Sequence, residues 1–171
     1  MSELIPWRDT IDGVVTGFEF AAHSLPGDLI AAMMMQESAG DPWATRFEPL
    51  FYEKYIKNNE GVKAMPGVSL ATEQICRATS FGLLQVMGQV ARELGFQGKY
   101  LTALCEPQVG LLWGCRQLAK FLKKYQSETD AIAAYNAGSS RKKAGGLTYV
   151  NQEYVDGVQA WRQRVVKEGI V

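Results

Sequence analysis

The chain has 171 residues, enough to bury a hydrophobic core without disulfides or structural metals, and we expect one domain over residues 1–171. Eighteen basic and eighteen acidic residues give a formal net charge of zero, so the positive field that attracts nucleic acid is missing and we expect no nucleic-acid partner. No apolar run approaches the roughly 20 residues that a membrane span needs, so we expect no membrane insertion.

The first two predicted elements are helices. The first covers residues 9–22, and the loop-like stretch AHSLPG that follows holds the single histidine, His23, which we interpret as structural. The second lies in LPGDLIAAMMMQESAGDP, where Asp28 is the candidate N-cap and Gly40 the stop signal.

The second predicted helix carries a carboxylate on its apolar side. Ile30, Met33, Met34 and Glu37 are spaced at i, i+3, i+4 and i+7, which is typical of a stripe that faces the core. An acid in apolar surroundings loses solvation, so its pKa rises and it can protonate a poor leaving group such as a sugar oxygen. From position alone, a Glu37 side chain that simply turns out to solvent stays an open alternative.

The pattern loosens in the middle of the chain. We predict a short helix near residues 49–58, a connection rich in Gly, Pro and Ser, and a turn of helix at 70–77. At most a small β-hairpin is expected in residues 60–82. The stretch SFGLLQVMGQVARELGF, residues 80–96, then predicts a helix closed by Gly95.

Three further helices complete a count of about seven, with little strand. The most regular is EPQVGLLWGCRQLAKFLKKYQ, with Pro107 in its first turn. SETDAIAAYNAG follows, with a capping pattern from Ser127 to Asp130 and a stop at Gly138. After the loop SSRKKAGG, a last helix carries Tyr154 on its apolar face. The sequence therefore predicts a mainly α fold of the α+β type.

Composition also argues against metal and redox chemistry. Three cysteines lack the short spacings of a zinc site or a redox pair, and we interpret them as buried or free thiols. With one histidine in the chain, we expect no metal and no cofactor. The N-terminus has no basic segment followed by an apolar core, so we expect synthesis in the cytoplasm without a signal peptide.

Four motifs follow one another in a characteristic order, each at a helix edge. They are Glu-Ser at 37–38, SFGLLQVM at 80–87, a Pro-then-Gly helix start at 107–110 and AYNAG at 134–138. Together they resemble the soluble-type lytic transglycosylase domain of the lysozyme-like superfamily, over residues 25–162. The resemblance implies about seven helices around a substrate cleft.

The resemblance also implies roles for individual residues. Glu37 is the implied catalytic acid and base, and Ser38 beside it holds the end of the helix. Gln85 is expected to bond sugar hydroxyl or N-acetyl groups, Asn136 to offer a donor and an acceptor to an N-acetyl group, and Tyr154 to reach in near Glu37. Core packing stays an alternative for the tyrosines. The implied substrate-binding residues are Ser38, Ser80, Gln85, Tyr135, Asn136 and Tyr154.

The chain departs from the family pattern between the first two motifs. Residues 38–81 separate Glu-Ser from the next motif, where the family has a short interval, and we interpret them as an insertion. Leu84 replaces the usual Met, Gly88 the usual Pro, and Arg46 stands about where the family often has Ser. Substrate contacts near Arg46 are therefore not implied by the resemblance.

The insertion bears on the choice between two mechanisms. A transglycosylase can use one glutamate twice, whereas an inverting hydrolase needs a second carboxylate to activate water. Glu48 and Glu73 are the candidate second carboxylates, and for each the alternative is a solvated surface acid.

We therefore expect an enzyme that cleaves the β-1,4 bond between N-acetylmuramic acid and N-acetylglucosamine in peptidoglycan strands, as a lytic transglycosylase giving 1,6-anhydromuramic ends. The alternatives are a hydrolytic muramidase and a non-catalytic glycan-binding or virion structural domain. We expect a monomer that acts on the cell wall or in the periplasm, released by phage lysis or carried on a virion.

Overall fold

The computed structural model describes residues 5–17 and 25–169. Within them the protein is mainly helical with one small sheet, which confirms the predicted fold class. A 3-10 turn at Ile5–Trp7 precedes the first helix, and another spans Leu101–Cys105; a π-helical segment, Tyr52–Ile56, continues α3. The other elements are α1 (Arg8–Val15), α2 (Gly27–Ser38), β1 (Thr45–Phe47), α3 (Pro49–Phe51), α4 (Leu70–Arg77), β2 (Thr79–Phe81), β3 (Val86–Met87), α5 (Gly88–Glu93), α6 (Pro107–Tyr125), α7 (Glu128–Ala137) and α8 (Gln152–Lys167).

The chain divides into two compact units, one of residues 1–40 and 115–171 and the other of residues 41–114. The predicted helix at 9–22 is observed as α1, Arg8–Val15, and it ends before Thr16; residues 18–22 of the prediction and His23 lie outside the described residues. No helix in the described part of the chain is long and apolar enough to cross a bilayer.

The first unit is built around α2. Every residue from Leu29 to Met34 is at most 1% exposed, so this helix is buried on all sides and not along one stripe. It packs chiefly against α8, whose Val155, Val158 and Val165 are fully buried. The spacing of the apolar residues therefore does not by itself decide where Glu37 points.

Asp28 is not the N-cap of α2, contrary to the prediction. The cap is Pro26, without a side-chain hydrogen bond, and Asp28 lies inside the first turn. Its carboxylate accepts hydrogen bonds of 2.6 and 3.2 Å from the guanidinium of Arg162 in α8, which also bonds Glu128 of α7. Because Arg162 bridges these two carboxylates, it links α2, α7 and α8. The Asp28 carboxylate is engaged in this bridge and does not cap α2.

The helix α7 matches its prediction. The Ser127 hydroxyl accepts a hydrogen bond from the Asp130 amide, and Gly138 ends the helix at a φ of 73°. Ala131, Ala133 and Ala134 are fully buried, because their small side chains let neighbouring backbone approach closely.

The second unit holds a three-stranded antiparallel sheet in the order β1-β2-β3. Thr45 to Phe47 pair with Phe81 to Thr79, and Ser80 and Phe81 pair with Met87 and Val86. Of the three strands, only β2 lies within residues 60–82, where a hairpin was expected; β1 precedes this region and β3 follows it. The predicted turn of helix at 70–77 is confirmed as α4, which Ser69 caps through the Thr72 amide.

The helix predicted over residues 80–96 is wrong in its first half, which forms β2, a tight turn and β3. Gly82 has a φ of 70°, and a Cβ there would lie 2.4 Å from the Leu104 carbonyl oxygen, so the chain turns at this glycine. The helix starts only at Gly88, where a Cβ would lie 2.2 Å from the Cys76 carbonyl oxygen. This close approach accounts for glycine at a position where the family usually has proline.

The three cysteines carry free thiols, as predicted. Burial raises the pKa of the Cys115 thiol to about 12. A thiol that stays protonated at neutral pH is a poor nucleophile.

Candidate functional site

Glu37 sits where α2 leaves the core. The helix is fully buried as far as Met34 and ends at Ser38, and Ala39 adopts a left-handed conformation with a φ of 52°. Glu37 itself is half-buried. The Ser38 hydroxyl donates to the Met34 carbonyl oxygen at 3.2 Å, which fastens the last turn. The helix end therefore presents a carboxylate at the border between apolar interior and surface.

A tyrosine from the last helix contacts this carboxylate directly. The Tyr154 hydroxyl in α8 donates a hydrogen bond of 2.6 Å to Glu37 Oε1 across 117 positions of sequence. Burial, the charge of Glu37 and this hydrogen bond together raise the pKa of Tyr154. Tyr154 therefore stays a neutral donor to the carboxylate.

A second tyrosine belongs to the same environment. Tyr135 in α7 is 7% exposed, and burial raises its pKa well above 10, with a further contribution from the negative charge of Glu37. Its backbone carbonyl accepts a long hydrogen bond of 3.4 Å from the Gln117 side chain. The structure thus brings three predicted site residues, Glu37, Tyr135 and Tyr154, into one electrostatic environment.

Asn136, next along α7, is exposed and is held by a residue that the sequence analysis did not select. The side-chain amide of Asn151 donates to Asn136 Oδ1 at 2.9 Å and to the Ala133 carbonyl oxygen at 3.0 Å. With its oxygen occupied in this way, Asn136 offers its Nδ2 group as a donor.

Asn151 is itself unusual. It is the N-cap of α8, yet its side chain makes no cap hydrogen bond, and its Oδ1 is buried with no hydrogen-bond partner among the described residues. Leaving a buried acceptor unsatisfied costs about 1–3 kcal/mol. The signal available in the sequence was an asparagine directly before the last helix, which pattern reasoning reads as a simple cap.

Two predicted substrate-binding residues lie in the second unit. Gln85 has a φ of 45°, and its side-chain amide donates to the carbonyl oxygens of Ala44 at 2.9 Å and Gly82 at 3.0 Å. Both amide protons therefore stabilise the turn between β2 and β3, and the side-chain oxygen is the atom left for a ligand. Ser80 lies in β2, is 4% exposed, and pairs with Arg46 and Met87.

The two candidate second carboxylates have different surroundings. Glu73 is 1% exposed and accepts hydrogen bonds from Arg77 at 2.9 Å and from Arg92 at 2.8 and 3.0 Å, so it is not a solvated surface acid. Burial opposes its charge, but the two arginines outweigh burial and hold the pKa of Glu73 below its ordinary value. The Glu48 side chain is 30% exposed and pairs with Arg46 at 2.5 Å.

The described residues contain no cluster of three or more His, Cys, Asp or Glu side chains that could hold a metal ion. What the first unit does assemble is one carboxylate at a helix end, a buried neutral tyrosine hydroxyl bonded to it, and an oriented asparagine amide. This set can donate a proton, accept it back and bind a neutral polar group.

Comparison with known proteins gives the family. No curated protein and no solved structure matches the chain. A family model described as the transglycosylase SLT domain matches residues 19–154, a range that includes all four predicted motifs and ends at Tyr154. Together with the helical fold and small sheet, the match shows that the chain belongs to the transglycosylase SLT family, the lytic transglycosylases of the lysozyme-like superfamily.

Proposed function

We propose that the protein is a lytic transglycosylase that cleaves the β-1,4 bond between N-acetylmuramic acid and N-acetylglucosamine, with Glu37 acting first as the acid and then as the base. The family match supports action on peptidoglycan. The observation that carries the assignment to Glu37 is the 2.6 Å hydrogen bond that it accepts from Tyr154.

The proposed reaction has two steps at one carboxyl group. Protonated Glu37 gives its proton to the glycosidic oxygen as the bond from that oxygen to C1 of the muramic acid breaks. The Glu37 carboxylate then removes the proton from the C6 hydroxyl of the same sugar while O6 attacks C1, which closes a 1,6-anhydro ring and restores the acid. No water enters the balance.

Tyr154 supports both steps through its hydrogen bond. Proton transfer leaves a negative charge on Glu37, and a hydroxyl already aimed at Oε1 stabilises this charge without reorganisation. Because burial and Glu37 raise the pKa of Tyr154, the hydroxyl keeps its proton over the working pH range.

Asn136 is proposed to recognise the N-acetyl group. Asn151 occupies Asn136 Oδ1, so the Nδ2 group of Asn136 is the one presented, and an amide donor fits the carbonyl oxygen of an N-acetyl substituent. Asn151 is then a positioning residue, because it acts through Asn136. The unsatisfied oxygen of Asn151 is the cost of that orientation.

The surroundings of the other acids favour a single-glutamate mechanism. A general base for water must accept a proton, and Glu73 is buried between two arginines that favour its charged form. Glu48 is the remaining candidate for a hydrolase, because its carboxylate is partly exposed.

Mass spectrometry of purified wall digested by the protein tests the proposal. Anhydromuramic ends are expected, and they should disappear in Glu37→Gln. Reducing ends formed by the wild type would instead identify a hydrolase, and Glu48→Gln would then show whether Glu48 activates the water. Equal clearing of walls by wild type and Glu37→Gln would overturn the assignment of Glu37.

A further inference from the structure

The segment between α7 and α8, predicted from sequence as a loop, is closed by an isolated antiparallel β-bridge. Lys142 pairs with Tyr149, the Lys143 amide donates to the Thr148 carbonyl oxygen at 2.8 Å, and the Val150 amide donates to the Arg141 carbonyl oxygen at 3.0 Å. We call residues 141–150 the basic hairpin, since one strand reads Arg-Lys-Lys.

The basic hairpin is anchored to the same helix that carries Tyr135 and Asn136. Tyr149 is 7% exposed and its hydroxyl donates to Asp130 of α7 at 3.0 Å. The Lys142 ammonium lies 5.4 Å from the centre of the Tyr149 ring, a cation–π contact that restrains the lysine. The positive charges are therefore mounted on a fixed support.

Some other cations described in the chain are paired with acids. Arg46, Lys57, Arg77, Arg92 and Arg162 each pair with an acid. Arg141, Lys142 and Lys143 are exposed, and none of them forms an ion pair with a described acid. No acid occurs between Gly138 and Val150, and since the whole chain is neutral, the rest of it carries an excess of three acids. The hairpin is thus one local concentration of positive charge, and the rest of the chain is mildly acidic.

Chain topology places this charge beside the proposed site. The hairpin begins three positions after Gly138, which ends α7, and it ends four positions before Tyr154 in α8. Asn151, directly after the hairpin, bonds Asn136 at 2.9 Å, so the end of the hairpin lies near that residue.

We propose that the basic hairpin binds the carboxylates of the stem peptides that branch from the glycan strand, an inference that rests on the proposed function. Each muramic acid carries a short peptide with free carboxylates, so a strand held at its N-acetyl groups presents anionic branches at regular intervals. Exposed cations on a segment anchored to α7 match such branches by charge, whereas the neutral sugar backbone offers no charge to pair with them.

The test measures wall binding in a Glu37→Gln background, so that cleavage does not remove the ligand. Arg141→Gln with Lys143→Gln leaves the Lys142–Tyr149 stack intact, and the triple variant adds Lys142→Gln. The matched control neutralises three exposed lysines elsewhere in the first unit: Lys120, Lys123 and Lys167. Co-sedimentation with purified walls at low salt should show affinity lowered about 5- to 30-fold by the triple change, less by the double change, and little by the control.

Chemically trimmed walls distinguish the sources of negative charge. On walls whose stem-peptide carboxylates have been converted to neutral amides, wild-type hairpin and triple variant should bind equally; on walls stripped of anionic accessory polymers, the difference should persist. A loss that survives neutralisation of the peptide carboxylates, or that the control reproduces, would overturn the inference. The binding test and the cleavage test are independent. If the wild-type protein cleaves no wall but the peptide-dependent difference in binding is observed, the proposed function is disproved and the inference about the hairpin stands.

Discussion

Two carboxylates, the half-buried Glu37 in the first unit and the buried Glu73 in the second, have different hydrogen-bond donors. Glu73 meets two guanidinium groups, at 2.8 to 3.0 Å, that are always charged. Glu37 accepts a hydrogen bond of 2.6 Å from the Tyr154 hydroxyl, and because burial raises the pKa of Tyr154 this donor stays neutral.

The difference shows that the neighbouring groups determine which task a glutamate side chain can perform. A carboxylate fixed by permanent cations is held ionised and links α4 to α5, which is a structural task. The hydroxyl of Tyr154 donates to Glu37 without bringing a positive charge, which suits a group proposed to exchange a proton with a ligand. Burial alone would have ranked Glu73 above Glu37 as a catalytic candidate; the neighbours reverse that ranking.

The largest effect that tests this contrast is expected from Glu37→Gln. The amide keeps the size of the side chain but cannot transfer a proton, so wall-clearing activity should fall about 10²–10⁴-fold. Because Glu37 is only half-buried, thermal unfolding should shift little. Turbidity loss of purified walls and a melting curve measure both, with the exposed Glu60→Gln as a control of equal charge change. A variant that clears walls at the wild-type rate would remove Glu37 from the reaction.

The opposite outcome, a loss of stability, is expected from Glu73→Gln. It leaves Arg92 buried without its charge partner, which costs about 3–5 kcal/mol of unfolding free energy. Denaturant unfolding gives this value, and Glu53→Gln, which breaks the exposed pair with Lys57, should cost at most about 1 kcal/mol. If Glu73→Gln lost activity at unchanged stability, the division between catalytic and structural acids would be wrong.

The pH dependence of the unfolding free energy tests the same contrast, and its direction follows from the pKa shift of Glu73. The pKa of Glu73 lies below its ordinary value of 4.5 in the folded protein, so the stability that it contributes is complete above pH 4.5 and is lost as pH falls through the lower, folded value. The Glu73→Gln variant lacks this contribution at every pH. Its unfolding free energy should therefore depend less on pH in the acid range than that of the wild type.

Part of the fold and part of the candidate site could be predicted from the sequence, and the physical reason differs from residue to residue. Glu37, Tyr154 and the AYNAG helix were found because local motifs and helix signals carry them. Asp28 was misassigned because Arg162, 134 positions away, competes for its carboxylate. The turn at Gly82 was missed because its apolar run suits a helix, while the close Leu104 carbonyl, which only a fold brings near, excludes one.

A smaller effect is expected from Tyr154→Phe. Removing the donor to Glu37 withdraws a hydrogen bond to a charged group, worth about 1.5–3 kcal/mol, so kcat should fall about 10- to 100-fold. KM should change little if the bond acts on the charge formed during reaction. Tyr100→Phe, on an exposed ring, is the control. A rise in KM at constant kcat would instead assign Tyr154 to substrate binding.

The smallest expected effect concerns Asn151. Its substitution tests whether a neutral side chain can orient the amide of Asn136. Asn151→Ala should raise KM about 3- to 10-fold, because Asn136 loses the bond that fixes its amide. The same substitution made in an Asn136→Ala background should add little, since the group being positioned is already gone. Additive losses in this double-mutant cycle would mean that Asn151 acts through its bond to the Ala133 carbonyl, as a clamp between α7 and α8. The coupling therefore separates orientation of one amide from support of two helices, a distinction that stability measurements on Asn151→Ala alone cannot make.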